Sequence, residues 1–492
     1  MRISVIGCGY LGAVHAACLA HAGHEVVGID RDESRARALQ DGAPPFYEPG
    51  LQELLREGLD AGRLSFTDDP RAAQGAAVHF LCVGTPQMRG GDATDLGALR
   101  GAVASLLPSL RPGQVVVGKS TVPVGTAEEV ARTLRAACPE VGFIWNPEFL
   151  RESTAVEDTL HPERMVYGVE GSAAGADGSD PSGSGTAAAA IAALDAVYAP
   201  QLQDGVPRMI TDLATAQLVK VAANSFLAVK ISFINAMAQV SEASGADVDD
   251  LADALGMDER IGRRFLDAGL GFGGGCLPKD LRGFRARARE LGADGVVDML
   301  TAAETVNESA REDVLSLAAR MLEDGRETTG AGIIGARIAV LGATFKPGSD
   351  DVRESPALAL AARLEEAGAE VVVADPQGVR PARAAHPGLA VTDDLDGALA
   401  GADVLVLATA WPEYRDLDPQ HAASLVAGRR IVDARGAMPL ARWQEAGWDA
   451  RSLGRRMPRA DGASAPAPSS AAPRRSGAAP ERRSTPTAVT AV

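Results

Sequence analysis

The first thirty residues constrain the fold of this chain more than any other stretch. An apolar run, RISVI, leads into three glycines spaced G-x-G-x-x-G (Gly7, Gly9 and Gly12), then an alanine-rich helical stretch, then a second apolar run that ends at Asp30. In a βαβ unit such glycines let a pyrophosphate approach the N–H groups of a helix N-terminus, and the acid binds a ribose. The pattern therefore predicts a dinucleotide-binding domain. Asp30 favours NAD over NADP, although Arg31 beside it leaves NADP open.

Composition limits the class of protein. A chain of 492 residues is too long for one hydrophobic core, so two or three domains are expected. It has no apolar run near the length of a membrane span and no signal-peptide pattern, so we expect a soluble protein with no membrane partner. Five scattered cysteines argue against a disulfide framework and for a reducing cytoplasm. The formal net charge of -17 disfavours nonspecific binding of nucleic acid.

The lysines are few. Arginine occupies nearly all of the 48 basic positions, and the lysines are Lys119, Lys220, Lys230, Lys279 and Lys346. A lysine that persists in such a chain is a candidate for a place where a compact, titratable ammonium is needed, and chance survival is the alternative.

Further strand-like runs, 78–83, 115–120 and 143–145, each end in a polar or Gly/Pro turn. In a parallel sheet such turns lie at the carboxyl edge, where ligands bind. We therefore expect the nicotinamide end of the cofactor to meet Lys119, Thr121, Glu148 and Glu152. The alternative for the two glutamates is the solvated first turn of a helix. Residues 170–188, rich in Gly, Ser, Ala and Asp, predict a surface loop without function.

A long helix is predicted from about Asp212, a plausible N-cap, to Ser244, before Gly245. Lys220 and Asn224 are four residues apart and share one face of it, which indicates a cleft or else a solvent-facing stripe. A short segment, 256–266, holds Arg260, and a helical stretch, 296–325, completes the region.

The stretch GFGGGCLPKD places Cys276 among glycines, with Lys279 and Asp280 just downstream. Bare backbone around a thiol lets a substrate approach, and nearby positive charge or a helix N-terminus stabilises a thiolate. Lys279, or a helix that starts near Pro278, could supply that charge. The sequence therefore predicts a nucleophile, and the alternative is a buried, inert cysteine.

A second α/β pattern begins at Arg337. Its first loop, TFKPGSDDVRES, lacks both G-x-G-x-x-G and the P-loop pattern, but Lys346, Arg353 and Arg435 could bind a nucleotide at the sheet edge. After Leu453 the chain has almost no large apolar side chains and is expected to be disordered. No metal-ligand motif occurs, so no metal site is predicted.

These patterns predict an α/β fold of two Rossmann-like doubly wound domains joined by a long central helix. The expected parts are an NAD-binding domain, a central helical dimerisation region with the cysteine loop, a second Rossmann-like domain and a tail, at 1–210, 211–330, 331–453 and 454–492.

Seven motifs follow one another in the chain: GCGYLG, STVP, NPEFLRES, VKVAANSFLAVK, GMDERIG, GFGGGCLPKD and FKPGSDDVRES. On these motifs, residues 1 to about 450 resemble the UDP-glucose/GDP-mannose dehydrogenase family. Seven motifs in order are much more specific than any one of them.

The resemblance implies a four-electron oxidation of a sugar's primary alcohol to a carboxylate, with two NAD in turn. Cys276 would attack the aldehyde stage, the second hydride would leave a thioester, and water would hydrolyse it. Lys220 and Asn224 would stabilise an oxyanion, and Asp280 would hold or deprotonate water. Water and proton relays would fall to Thr121, Glu148 and Glu152.

The resemblance also implies the ligand-binding residues. Those for NAD would be Gly7, Gly9, Tyr10, Leu11, Gly12, Asp30, Thr85, Thr121, Glu152, Lys279 and Arg353. Those for the substrate would be Glu148, Phe149, Leu150, Lys220, Asn224, Arg260, Phe272, Gly273, Phe345, Lys346 and Arg435. Arg260 would reach a neighbouring subunit's substrate, which implies at least a homodimer.

The implied substrate is UDP-glucose, with GDP-mannose or an N-acetylated UDP-sugar as alternatives, because the catalytic residues are shared. A catalytically silent NAD-binding protein is a different class, but it would be expected to lose Cys276, Lys220 or Asp280. A two-electron hydroxyacid or phosphogluconate-type dehydrogenase would not need the cysteine loop or the second nucleotide-like domain.

Overall fold

The computed structural model describes residues 1–171, 185–323 and 332–455. Within these residues, the first sheet has eight strands. They are β1 (Arg2–Ile6), β2 (Glu25–Ile29), β3 (Leu64–Thr67), β4 (Val78–Leu81), β5 (Val115–Gly118), β6 (Gly142–Trp145), β7 (Met165–Val169) and β8 (Arg208–Asp212).

The strand order of this sheet is β3-β2-β1-β4-β5-β6-β7-β8, and its pairs are parallel except β6 with β7. The sequence order reverses between β1 and β4, which is where a doubly wound sheet binds its ligand. Strands β4, β5 and β6 are buried along their whole length, as expected when helices cover both faces.

The helices of the first part connect and cover these strands. They are α1 (Tyr10–His21), α2 (Glu33–Gln40), α3 (Leu51–Asp60), α4 (Gly97–Leu106), α5 (Thr126–Ala137), α6 (Ala155–Leu160), α7 (Gly185–Val197) and α8 (Ala199–Gln203). Helix α1 starts directly after the glycine turn, so its N-terminus lies at the ligand edge of the sheet.

The central region is helical, with α9 (Leu213–Ser244), α10 (Val248–Gly256), α11 (Leu277–Glu290) and α12 (Asp294–Glu323). Asp212 caps α9 by accepting a 2.7 Å hydrogen bond from the N–H of Thr215, and Gly245 ends the helix with a φ of 75°. By length and composition, helix α9 could cross a membrane. In the structure, however, α11 and α12 pack against it, as they would against a core helix of a globular protein.

The second sheet is entirely parallel, in the order β11-β10-β9-β12-β13-β14. Its strands are β9 (Arg337–Leu341), β10 (Glu370–Ala374), β11 (Ala390–Thr392), β12 (Val404–Leu407), β13 (Arg430–Asp433) and β14 (Asp449–Ser452). Its helices are α13 (Pro356–Glu366), α14 (Val379–Ala385), α15 (Leu395–Leu399), α16 (Pro412–Arg415), α17 (Pro419–Leu425) and α18 (Leu440–Glu445). Two Rossmann-type sheets with a long helix between them in the chain confirm the predicted fold class.

The prediction for 170–188 is wrong at its end, because α7 begins at Gly185. Alanine is the strongest helix former, and the run of alanines from residue 187 continues into a helix despite the polar, glycine-rich segment before it. The rest of that prediction, 172–184, lies outside the described residues, as does the predicted tail from 456 onward. The predicted disorder is wrong at 454–455, because Gly454 donates a 2.9 Å hydrogen bond to Glu242 and Arg455 donates a 3.0 Å hydrogen bond to the carbonyl oxygen of Gly436.

Candidate active site

Cys276 occupies the residue before α11, at the end of the glycine-rich loop. Its side chain is exposed, whereas Cys8, Cys18 and Cys82 are buried. Protein atoms nevertheless crowd the thiol, and this desolvation, with the carboxylates of Glu148 and Asp280, raises the pKa of Cys276 to about 12. A thiol that is open to a ligand but poor in positive charge needs an activating partner.

Lys220 is the cation that lowers the pKa of the Cys276 thiol. It lies buried on α9, and its Nζ is 2.9 Å from Oε1 of Glu148. Burial alone would lower the pKa of Lys220, but the carboxylates of Glu148 and Asp280 raise that pKa above its ordinary value. The lysine therefore stays protonated, beside both the thiol and Phe149, whose ring centre is 5.8 Å from Nζ.

Asn224 lies one turn after Lys220 on α9 and donates a 2.7 Å hydrogen bond from Nδ2 to Oδ2 of Asp280. The other oxygen of Asp280 accepts 2.6 Å from Nζ of Lys279. The expectation that Lys279 stabilises the thiolate is therefore not met, because its ammonium binds the adjacent carboxylate. A helix does start near Pro278, at Leu277, as expected.

Glu152 brings the second sheet into the site. Its Oε1 accepts a 3.0 Å hydrogen bond from Nη2 of Arg353, and its backbone carbonyl accepts a hydrogen bond from Nζ of Lys346. Its Oε2 is buried and has no hydrogen-bond partner. Burial and the charge of Asp351 raise the pKa of Glu152.

Lys119 does not enter this cleft. Its Nζ donates to Oδ1 of Asn146 at 3.0 Å and to the hydroxyl of Tyr198 at 3.3 Å, in the buried interior of the first domain. The prediction that Lys119 faces the nicotinamide is wrong, because a strand-end position identifies the edge of a sheet but not the side of the sheet to which the side chain turns.

The turn after β1 has the form that a dinucleotide requires. Gly7 has a φ of +89°, and a Cβ on Gly12 would lie 1.9 Å from the carbonyl oxygen of Gly7, whereas a Cβ on Gly9 would meet nothing. The backbone is therefore bare where a pyrophosphate approaches the start of α1. Leu11 packs on the core, and the Tyr10 hydroxyl binds Glu48.

Asp30 is buried at the end of β2. Its carboxylate accepts hydrogen bonds from the N–H of Cys8 at 2.8 Å and of Asp32 at 2.9 Å, and two from Arg35 at 3.2 Å. The neighbouring cation is thus Arg35 rather than the exposed Arg31. The carboxylate has the position expected for a ribose-binding acid, so the residues fit a dinucleotide.

Thr85 and Thr121 join the two strand ends beside the cradle, since the Thr85 hydroxyl donates 2.6 Å to the carbonyl oxygen of Thr121. Thr121 also lines a small cavity with Lys279 and Asp280, and Gly283 of α11 lies along its wall. The carboxyl edge of the first sheet, where the cofactor is expected, therefore lies next to the carboxylate of Asp280.

The cysteine loop rests on the second sheet through Arg435. This guanidinium donates to the carbonyl oxygens of Ala408 at 2.6 Å, Gly271 at 2.9 Å and Phe345 at 3.5 Å. Burial lowers the pKa of Arg435 to about 10. With these partners, Arg435 supports the loop and also lines a cavity of about 190 Å³.

Phe265, which the motifs did not single out, lines the same cavity with Ile231, Asp267 and Gly269. Its φ of 68° is unusual for a bulky residue and marks a strained backbone beside a cavity. The sequence carries no signal for this conformation, because phenylalanine ordinarily avoids it.

Four predicted substrate-binding residues have other local partners. Arg260 is exposed and pairs with Asp258. The Phe272 side chain packs in an apolar cluster with Leu281, and Gly273 lies against the carbonyl oxygen of Glu354. Leu150 packs on the core of the first domain.

A doubly wound sheet with this cradle, facing a thiol in a cleft, defines the protein as an NAD-dependent dehydrogenase. Family models match along most of the chain: the NAD binding domain of the UDP-glucose/GDP-mannose dehydrogenase family at residues 1–180, its central domain at 214–309 and its UDP binding domain at 339–439. The chain belongs to this family of nucleotide-sugar dehydrogenases.

Individual relatives agree. The chain is 40% identical over 461 residues to a UDP-glucose 6-dehydrogenase of Rhizobium meliloti (strain 1021), covering 92% of this chain and 100% of the relative. It is 37% identical to a UDP-glucose 6-dehydrogenase of Pseudomonas aeruginosa, covering 95% and 100%. Among solved structures, a UDP-glucose dehydrogenase from Pyrobaculum islandicum matches with a TM-score of 0.78 at 35% identity, over 92% of this chain and 96% of that one.

Proposed function

We propose that the protein oxidises UDP-glucose to UDP-glucuronate, a four-electron reaction that uses two molecules of NAD. The observation that carries the proposal is the exposed thiol of Cys276 beside the buried ammonium of Lys220. A cysteine that can bond to an aldehyde lets a dehydrogenase proceed to the acid. The relatives named UDP-glucose 6-dehydrogenase support the choice of sugar.

The bound NAD supplies the hydride acceptor. After the primary alcohol has lost a hydride and a proton, Sγ of Cys276 bonds to the aldehyde carbon, and the thiol proton passes to the oxygen. Loss of a second hydride and that proton leaves a thioester. Water then attacks the carbonyl carbon, the C–S bond breaks and the thiol is restored.

Lys220 and Asn224 are the preorganised donors for the oxyanion that develops in these steps. Both are held in place, Lys220 by Glu148 and Asn224 by Asp280. Asp280 holds the hydrolytic water and accepts its proton, beside Thr121. Glu148 and Glu152 position water and move protons at the edge of the cleft. In this scheme, the remaining predicted NAD-binding and substrate-binding residues keep those roles.

A second candidate substrate is an N-acetylated UDP-sugar. The structure of UDP-D-ManNAc dehydrogenase from Pyrococcus horikoshii matches the chain with a TM-score of 0.76 at 26% identity, over 92% of this chain and 99% of that one. GDP-mannose remains the third candidate, because the catalytic residues do not distinguish the sugars.

We also propose that two copies pair through α9. This helix exposes Phe226, Phe233 and Val240, and Phe226 is 65% exposed. Their spacing of seven residues places them in one stripe, which a second copy would cover. Pairing would also bring the exposed Arg260 within reach of a partner's substrate. We further propose that the chain is divided into the four parts predicted from the sequence, and that the protein is located in the cytoplasm.

The test is a count of NADH formed per sugar consumed, with purified protein, NAD and UDP-glucose. Two NADH and UDP-glucuronate are expected. One NADH would overturn the four-electron route, and none with UDP-glucose but two with GDP-mannose or a UDP-N-acetyl sugar would reassign the substrate. No turnover with any of them would support the silent NAD-binding alternative.

A further inference from the structure

Glu152 and Asp351 approach each other from the two halves of the chain. Glu152 follows β6 of the first sheet, whereas Asp351 lies in the loop after β9 of the second. One nitrogen atom, Nη2 of Arg353, contacts both carboxylates: Oε1 of Glu152 at 3.0 Å and Oδ2 of Asp351 at 2.6 Å. Two carboxylates thus share a single guanidinium group.

The hydrogen bonds divide unequally between the two acids. Asp351 accepts from Nε of Arg353 with both oxygens at 2.9 Å, in addition to its bond from Nη2. Glu152 receives one bond from Arg353, and its Oε2 is buried without a donor. Burying an ionised carboxylate oxygen that accepts no hydrogen bond costs free energy. A protonated oxygen avoids much of this cost, because its O–H can donate to a nearby acceptor.

The charges around Glu152 do not remove this imbalance. Lys346 binds the backbone carbonyl of Glu152 rather than its carboxylate. Two titratable groups near Glu152, the Tyr10 hydroxyl and the Cys276 thiol, are uncharged in the resting protein because their pKa values are raised. A third, the carboxylate of Glu48, accepts a 2.7 Å hydrogen bond from the N–H of Ser153, the next residue along the chain. The charges of Arg353 and, less strongly, Lys346 lower the pKa of Glu152, but burial and the charge of Asp351 outweigh them.

We propose that Asp351 is a positioning residue that keeps Glu152 protonated: Oε2 of Glu152 carries a proton and donates it in a hydrogen bond to Asp351, across the boundary between the two sheets. Asp351 keeps its negative charge, because Arg353 stabilises it with three hydrogen bonds from its guanidinium and one from its backbone N–H. The loop of the second sheet thereby sets the protonation state of an acid on the first.

The pKa directions agree with this geometry. Burial raises the pKa of Glu152, and the charge of Asp351 and a hydrogen bond to it raise it further. Burial acts in the same direction on Asp351, but the hydrogen bonds from Arg353 outweigh it and lower the pKa of Asp351. Two carboxyl groups that share a site separate their pKa values in this way.

Difference infrared spectroscopy of the cofactor-free protein tests the proposal without any assumption about substrate. The wild type is expected to show a protonated-carboxyl band near neutral pH that disappears as the pH rises, and Glu152→Gln is expected to lack it. Asp351→Asn removes the charge that disfavours ionisation, so the band should titrate at least about one pH unit lower. A wild type without the band, or an unchanged titration in Asp351→Asn, would overturn the proposal.

The pH dependence of turnover gives a second readout, which rests on the proposed function. The limb of the rate profile that Glu152→Gln abolishes should move toward acid in Asp351→Asn, whereas a purely structural role would lower the rate without moving the limb. If no sugar turns over at any pH, the proposed function fails while the infrared result still decides the role of Asp351.

Discussion

The ammonium of Lys220 and the carboxylate of Glu148 are 2.9 Å apart, although one lies on the central helix and the other follows a strand of the first sheet. The pair has opposite effects on Cys276: Glu148 raises the pKa of the thiol, and Lys220 lowers it. Burial is the largest cause of the raised pKa, and these two neighbouring residues change it in opposite directions. Each of the two can be altered separately.

Alkylation of Cys276 by iodoacetamide should report this balance. Glu148→Gln removes a negative charge, lowers the pKa of the thiol from about 12 and increases the thiolate fraction at a fixed pH below that value. Each pKa unit is about a tenfold change in thiolate, so several-fold faster labelling is expected. Lys220→Gln should label more slowly than wild type. Labelling followed by peptide mass spectrometry measures both, and equal rates in the two variants would contradict the electrostatic account.

Cys276→Ser should abolish UDP-glucuronate formation yet still bind NAD, because the cradle around Gly9 is formed by another part of the chain. Dinucleotide binding can be followed by fluorescence titration and the product by chromatography. A Cys276→Ser variant with normal acid production would exclude a covalent intermediate.

Asp280→Asn should reduce turnover by about 10²–10⁴-fold, the usual contribution of a general base. The amide preserves the size of the side chain, so the fold should persist. If Asp280 acts on the hydrolytic water, the variant should accumulate enzyme with the sugar attached to Cys276, visible as added mass in the intact protein. A variant that loses activity without any adduct would place Asp280 in an earlier step.

Two glycines of the cysteine loop should respond differently to alanine. A Cβ on Gly273 would lie 2.2 Å from the backbone oxygen of Glu354, so Gly273→Ala should destabilise the protein by about 1–3 kcal/mol. A Cβ on Gly275 would instead meet the guanidinium of Arg353 at 2.3 Å, which can move away from Glu152. Gly275→Ala should therefore lose activity with little loss of stability.

The matched control for both is Gly295→Ala, at an exposed helical position where a Cβ meets nothing. It should unfold at or slightly above the wild-type temperature in thermal denaturation, with unchanged turnover. If Gly273→Ala behaved in the same way, the close packing of the loop on Glu354 would be refuted.

Phe226→Glu should convert a dimer to monomers, because it places a charge at the most exposed residue of the apolar stripe on α9. Sedimentation velocity measures the change. Asp249→Lys, on the neighbouring helix α10, is not a suitable control because Asp249 pairs with Arg455. Glu366→Lys, at the end of α13, is a better one and should leave the oligomer intact.

Local sequence patterns predicted the parts of the site that lie on one element. The turn at Gly7, the cap at Asp212 and the shared face of Lys220 and Asn224 all follow from short-range spacing. The long-range partners of these residues could not be predicted from such patterns. Glu148 contacts Lys220 only because α9 packs against β6 and β7. Long-range pairing is decided by packing, which spacing does not encode.

The same limit explains what the sequence missed. Asp351 lies 199 residues after Glu152, and only the shared Arg353 reveals their relationship. Lys119 was expected to face the nicotinamide because of its strand-end position, but Asn146 and Tyr198 hold it in the interior. For both residues the decisive information is which side chains converge after folding.

The glycines before Cys276 rest directly on the backbone of the second half of the chain, where the N–H of Gly274 donates 3.0 Å to the carbonyl oxygen of Arg353. A hybrid enzyme that takes its second sheet from a relative would therefore inherit a foreign support for the nucleophile. To keep the thiol aligned, such an exchange has to transfer the 345–355 loop together with the cysteine loop, as one unit from one parent.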